Sequence, residues 1–311
     1  MSLIPLGILA ASGSGSGTIS IAGYVAGGRL SSNNPTSTVD KFSFPTDSRS
    51  TTTSLSVVNE QVDGMSNVNV AGYVLGGANS SNTPKDTVDK FAFPDDTRTT
   101  LATGLSGARY QVIGFSNNAV AGYSAGGDNG TSPKDTVDKF AFPDDTRTTL
   151  ATGLPAPTDQ TTAGLANDGV AAYVAAGKAS NTNTDAIRKL LFSTDATSTL
   201  GASVSSVRRL PSGFTNSGVA GYVAGGLTGS AVSTVDKLTF STESTSVLAT
   251  GLSAARFLGA GFADGLVAGY NAGGNPFTTA VDKFAFPSET RTTLGTSLSA
   301  ARDFAAGFQN S

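Results

Sequence analysis

Residues 70–117 contain Val70-Ala71-Gly72-Tyr73-Val74-Leu75-Gly76-Gly77, a polar loop, Val88-Asp89-Lys90-Phe91-Ala92-Phe93, an acidic turn at Asp95-Asp96, Thr99 to Leu105, and Arg109 to Asn117. Each segment is short and rich in Val, Thr, Phe and Tyr, and Gly, Pro, Asn and Asp separate them, so each reads as a strand bounded by turns. No sustained 3.6-residue apolar period with caps is present, which predicts almost no helix. Ala-Gly-Tyr or a one-residue variant recurs from Ala22, Ala71, Ala121, Ala171, Ala220 and Ala268, at steps of 49, 50, 50, 49 and 48 residues. Thr18 to Ser311 is 294 residues, six copies averaging 49, which leaves no room for a second domain.

A four-strand unit of about 50 residues repeated in tandem predicts an all-β fold, a six-bladed β-propeller with four antiparallel strands per blade. A linear β-solenoid is the alternative, but its coils are usually shorter. The blades start near residues 18, 70, 120, 170, 219 and 267, and residues 1–17 form a separate extended arm and Gly/Ser linker. The last copy ends with Arg302 to Asn310 and lacks the Gly-Tyr strand that follows elsewhere, while Ile19 to Gly27 lacks a preceding partner. The C-terminal strand is therefore expected to close the first blade, removing two exposed edges.

Composition excludes several function classes. The chain has 311 residues, no Cys and no His, so it has no disulfide, Cys-zinc site, Ser-His-Asp triad or HExxH site. Twenty basic and 23 acidic residues with no basic run give no footprint for a phosphate backbone, so nucleic acid is not an expected partner. No run approaches the length of about 18 apolar residues that spans a bilayer. The first positive side chain is Arg29, so a signal peptide with a basic start is not expected.

A residue that recurs in every copy solves a problem every blade has, and counts toward architecture. Val-Asp-Lys recurs at Asp40-Lys41, Asp89-Lys90, Asp138-Lys139, Asp236-Lys237 and Asp282-Lys283, with Arg188 in the Asp position of the fourth copy. Ion pairs or turn hydrogen bonds within a blade are expected of these. The double glycines predict positive φ, and Ala176, which replaces one of them, is expected in an ordinary β conformation. Asp95-Asp96 and Asp144-Asp145 supply too few oxygens for calcium by themselves. Gly177-Lys178-Ala179 lacks the rest of a phosphate loop. The expectation is a non-enzyme with no catalytic residue, cofactor or metal.

The loops after the double glycines differ between copies, and binding usually resides in loops on a rigid scaffold. Arg29, Asn33, Asn34, Asp128, Asn129, Lys178 and Asn181 are the candidate loop-face contacts. Leu3, Ile4, Leu6, Ile8 and Leu9 are too few to fold alone and are the candidate residues for docking the arm onto a partner.

The blade pattern resembles the kelch motif. A double glycine follows an aromatic-bearing strand (Tyr24, Tyr73, Tyr123, Tyr222 and Tyr270), and Arg109, Arg208, Arg256 and Arg302 fall where kelch blades carry an arginine. The kelch tryptophan is absent throughout, and Asn59 and Thr158 replace the arginine in the first and third copies. Kelch enzymes of the galactose-oxidase type use histidine and tyrosine to bind copper, and sialidase propellers carry an Asp-box ending in tryptophan; neither set exists here. Ser2-Leu-Ile-Pro-Leu-Gly-Ile-Leu-Ala-Ala-Ser-Gly13 looks like the opening of virion structural proteins of marine cyanobacterial phages. That resemblance implies a bacteriophage capsid or tail appendage, a fibre-type component present in many copies. It would be assembled in the host cytoplasm, held to other virion proteins by the arm, and would present its propeller to a host-surface glycan or protein. A free-standing kelch-like adaptor for protein or carbohydrate is the alternative.

Overall fold

The computed structural model describes residues 21–160 and 163–311. These form six blades around an axis, each a four-stranded antiparallel meander. Blade two, for example, runs outward through Asp63–Asn67, Ala71–Leu75, Val88–Ala92 and Thr97–Thr100. The inner strands of blades three to six are Ile113–Asn117, Gly164–Asn167, Ser212–Asn216 and Ala260–Asp264. Blade one takes its inner strand, Ala306–Gln309, from the end of the chain and pairs it antiparallel with Ala22–Ala26, matching Tyr24 to Phe308. Among the described residues there is no helix.

The outer strands differ from the sequence expectation. Thr97–Thr100 ends before Leu101, and Leu105 instead turns inward as a buried plug. Arg109 precedes the next inner strand, on the crossing that joins the blades. The alternation of a β-run cannot reveal this, because an isolated buried leucine in a loop has the same hydrophobicity as one in a strand.

The repeated glycine of Ala-Gly-Tyr has a packing cause. A Cβ at Gly72 would collide with the ring of Phe308, and one at Gly23 with Phe262, so the inner aromatic of one blade lies directly on the backbone of the next. The tyrosines complete this layer: Tyr24 stacks on Phe308 at 4.8 Å and on Phe93 of blade two at 5.4 Å, and Tyr270 stacks on Phe262 at 4.9 Å and on Phe44 of blade one at 5.3 Å. Much of the core is therefore sandwiched between blades.

The repeated lysine works between blades, which corrects the expectation of ion pairs within a blade for that half of the motif; the aspartate does pair within its blade, with Arg49, Arg98, Arg147 and Arg291 at 3.4 to 3.6 Å. Lys41 reaches Asp96 of blade two at 2.7 Å, Lys90 reaches Asp145 of blade three at 2.6 Å, and Lys283 reaches Asp47 of blade one at 2.6 Å. Lys139–Asp195, Lys189–Glu243 and Lys237–Glu289 complete the circle. The same carboxylates accept the tyrosine hydroxyls, as in Tyr24 to Asp96 and Tyr73 to Asp145, both 2.7 Å. Every one of these acids has φ between 51° and 59° in the outer hairpin turn. Burial, with the facing carboxylate as a further cause, pushes Tyr24, Tyr73, Tyr222 and Tyr270 far above the usual phenol range, so they remain neutral donors.

The aspartate of the same motif also has a partner from the crossing. Asp138 takes Arg109 at 2.5 Å, Asp236 takes Arg208 at 2.5 Å, Asp282 takes Arg256 at 2.7 Å and Asp40 takes Arg302 at 2.9 Å, all buried. The first glycines of the doublets have positive φ, as expected, and so does Ala176, at 61°, which contradicts the β conformation expected for it. The turn geometry is dictated by the flanking bonds, Ala176 N to Ala186 O at 3.0 Å and Gly177 N to Arg208 O at 2.9 Å, and the alanine adopts the left-handed conformation to keep them.

Candidate functional site

In each blade the loop between the second and third strands and the crossing to the next blade lie at one end of the propeller, here the loop face. The other two turns of each blade form the hairpin face. On the loop face, the residue after the double glycine bridges the residue after the arginine position. The partners are Ala78 and Glu60, Asp128 and Tyr110, Leu227 and Arg209, and Asn275 and Phe257. Lys178 with Asp159 and Arg29 with Asp303 complete the set.

One residue further toward the axis stand Gln61, Gln111, Gln160, Leu210, Leu258 and Phe304, all with φ between 53° and 61°. Their backbones bond in sequence around the axis: Gln111 N to Gln61 O at 2.8 Å, Leu210 N to Gln160 O at 2.6 Å, Leu258 N to Leu210 O at 2.9 Å and Phe304 N to Leu258 O at 3.2 Å. Only about 10 Å³ remains between them, roughly the space of one water molecule. The axis is thus plugged on this side, and the plug is divided into an amide half and an apolar half.

The bridging positions outside the plug carry a different side chain in nearly every blade, unlike the Tyr-Lys-acid ring. The polar sector includes Glu60, Tyr110, Asp128, Asp159 and Lys178; the opposite sector includes Leu227, Phe257 and Phe277. Among the described residues the buried oxygens Glu60 Oε2, Asp159 Oδ1 and Gln111 Oε1 accept no hydrogen bond, although Arg29 Nε lies 4.0 Å from Glu60 Oε2. Burial pushes the Asp159 carboxyl up to about 6 despite Lys178, and burial also raises Glu60 against the opposing pull of Arg29. Gln111 Nε2 donates to Gln61 Oε1 at 2.9 Å, and Gln61 Nε2 donates to Asn82 Oδ1 at 2.8 Å.

The seven loop contacts expected from the sequence separate into two groups. Arg29 is held in place, bidentate to Asp303 at 3.1 and 2.7 Å with Phe304 at 4.9 Å beneath its guanidinium. Asp128 folds its own loop by accepting Gly130 N at 2.6 Å, and Asn129 Oδ1 does the same for Thr131 and Ser132. Asn33, Asn34 and Asn181 are exposed at loop tips, and Lys178 is half-buried beside Asp159. Leu3, Ile4, Leu6, Ile8 and Leu9 lie outside the described residues. Glu60, Tyr110, Asp159 and Phe257 were not singled out by the loop comparison. Their signal is that the residue following the repeated arginine position varies from copy to copy, and it emerges only when that position is aligned across blades.

At the hairpin end the axis opens into a funnel of about 310 Å³. Asp63 and a ring of glycines (Gly64, Gly114, Gly164, Gly213, Gly261 and Gly307) form its floor, and Val68, Asn118, Asp168, Ser217 and Ser311 are at its mouth. Inner-strand edges are bare backbone, and side chains of neighbouring blades satisfy several amides, as in Ser66 N to Ser116 Oγ at 3.0 Å and Val68 N to Asn118 Oδ1 at 2.9 Å.

This architecture is that of a six-bladed β-propeller. The solved structure of YjhT superposes with a TM-score of 0.67 at 15% identity, covering 81% of this chain and 88% of that one, a likeness of fold alone. No protein-family model and no curated protein matches the sequence.

Proposed function

We propose that this chain is a non-enzymatic binding propeller, a structural component of a phage particle that turns its loop face toward a host-surface glycan or protein. The observation that carries the reading is the division between repeated and unrepeated residues. Repeated side chains are consumed in bonds between blades, whereas the unrepeated ones gather around the loop-side plug with carboxylate and amide oxygens that accept no hydrogen bond among the described residues. Amides, carboxylates and a tyrosine beside aromatic rings suit a polyhydroxyl ligand, whose hydroxyls satisfy such oxygens and whose ring faces pack on Phe257 and Phe277. The likeness of residues 2–13 to phage virion proteins supports the setting, and the kelch-like double glycines and arginines add only the blade type.

Orientation agrees with it. Ile21 occupies the hairpin face, where its carbonyl accepts Phe44 N at 2.9 Å as Val70 accepts Phe93 N in blade two. The chain preceding Ile21 is therefore joined at the end opposite the loop face. Deleting residues 1–17 is expected to leave the ring folded with unchanged melting and to abolish incorporation into particles, read by imaging purified virions. Replacing Glu60, Tyr110 and Asp159 together by alanine is expected to leave particles intact and abolish adsorption to host cells. A chain recovered only from soluble host extract would replace this reading with that of a free-standing adaptor.

A further inference from the structure

One ionisable side chain on the axis has no counterpart in the other blades. Where blade two carries Asp63 at the start of its inner strand, the others carry Ile113, Ala163, Ser212, Ala260 and Ala306. A position occupied by an aspartate once in six copies is not solving a problem of blade geometry. Its oxygens accept Gly64 N at 2.8 Å and Gly114 N at 2.9 Å, both neutral amides. Two carboxylates line the funnel, Asp63 at the floor and Asp168 at the mouth, and no lysine or arginine lines it.

The rim supplies a second, independent observation. Val70, Val120, Val170, Val219 and Val267 recur in the turns between inner and second strands, with Leu266 beside the last. They are the reverse of a core residue, with Val120 55% and Leu266 66% exposed. Leu266 and Val68 line the funnel itself, so apolar surface shares that opening with the two carboxylates. We propose that the hairpin face docks a partner protein, whose protruding segment enters the funnel and places a lysine or arginine against Asp63 while apolar residues beside it cover the valine annulus.

Charge and shape select this occupant over others. A free metal ion would leave the annulus uncovered, and among the described residues no group of three or more acidic side chains gathers to hold one. An anionic headgroup would meet Asp168 at the mouth and find no lysine or arginine among the described lining residues. From Gly64 to Val68 the inner strand advances roughly 13 Å at about 3.3 Å per residue, deeper than one lysine side chain is long, so a loop tip or chain end must enter rather than a side chain from a flat surface. Burial holds the Asp63 carboxyl up at about 8, so a cation arriving at pH 7 displaces a proton. The surface lies at the opposite end from the loop face, and its loss would leave adsorption through that face untouched.

The full chain can be titrated by calorimetry with acetyl-Leu-Gly-Lys-Gly-Leu-amide, with the same peptide carrying norleucine for lysine, and with a third carrying glycine for both leucines. The lysine peptide is expected to bind at least about tenfold more tightly than the norleucine peptide, with proton release at pH 7 that vanishes at pH 9. Asp63→Asn should remove that advantage. Asp63→Ser, which installs the side chain blade five already carries, serves if the amide disturbs folding. Val120→Ser with Val219→Ser should weaken the leucine-flanked peptide and spare the glycine-flanked one. Equal binding of lysine and norleucine peptides, or lysine binding unchanged in both Asp63 variants, would overturn the proposal.

Discussion

Blades three and four present the same backbone problem and solve it with opposite charges. In blade three Arg109 crosses from the preceding blade, donates to Gly126 O at 3.0 Å and Thr136 O at 3.1 Å, and pairs with Asp138. Asp138 also accepts Ser106 N at 2.9 Å and Thr149 Oγ1 at 2.7 Å. In blade four the crossing residue is Thr158 and the aspartate position holds Arg188, whose guanidinium approaches Ala176 O, the equivalent carbonyl, at 3.5 Å. Blade two gives a third solution, Asn59 Nδ2 to Gly76 O at 2.7 Å. What these blades preserve is a donor for the carbonyl of the left-handed turn; the carboxylate pairs with that donor where it is an arginine from the crossing, and in blade two Asp89 instead accepts Ser56 and Thr100. Blade four also has the longest outer hairpin, Thr182–Leu191 with Thr197–Arg208, and two register shifts in it.

The largest expected effect tests that rule. Asp138→Ala leaves Arg109 buried without its counter-charge and should cost about 3–5 kcal/mol, read from denaturant unfolding. Transplanting the blade-four solution, Asp138→Arg with Arg109→Thr, should recover at least about half of that loss, because it restores a donor without an unpaired carboxylate. Failure to recover would mean that blade four depends on its register shifts and that the two solutions are not interchangeable.

A second contrast concerns Asp63 against its five non-ionisable equivalents. Folding raises this carboxyl from near 4 to about 8, so between those values the folded chain binds more protons than the unfolded one. Stability contributed at this position is therefore fully present below pH 4 and lost as pH rises to 8. In Asp63→Ser that fall should disappear, and the difference between the two melting curves should widen from pH 5 to pH 8. Parallel curves would mean that Asp63 titrates as an ordinary surface carboxylate.

The smallest effect separates the two turns. Gly76→Ala, where a Cβ would collide with Arg109 O and φ is 57°, should destabilise by about 1–2 kcal/mol. Ala176→Gly, at nearly the same φ, should change stability by no more than about 0.5 kcal/mol, since relief of backbone strain is offset by loss of a buried methyl. A large gain from Ala176→Gly would show that blade four carries its alanine at a real cost.

The six-fold period, the absence of helix and the double-glycine turns were legible in the sequence because they are local. A strand's alternation and a turn's demand for positive φ act over a few residues, so each copy displays them independently. Copy-to-copy comparison also separated Arg188 and Ala176 from their equivalents before any coordinate was known. The partners of those residues were not legible. Lys41 and Asp96 are 55 residues apart, and Asp40 and Arg302 are 262 apart, distances that only the closure of the ring turns into contacts. The same closure decides which polar side chains are satisfied. Asp63 looks like any strand-edge aspartate in the sequence, and it becomes a buried carboxylate without a cation only when six inner strands converge on one axis and remove its water.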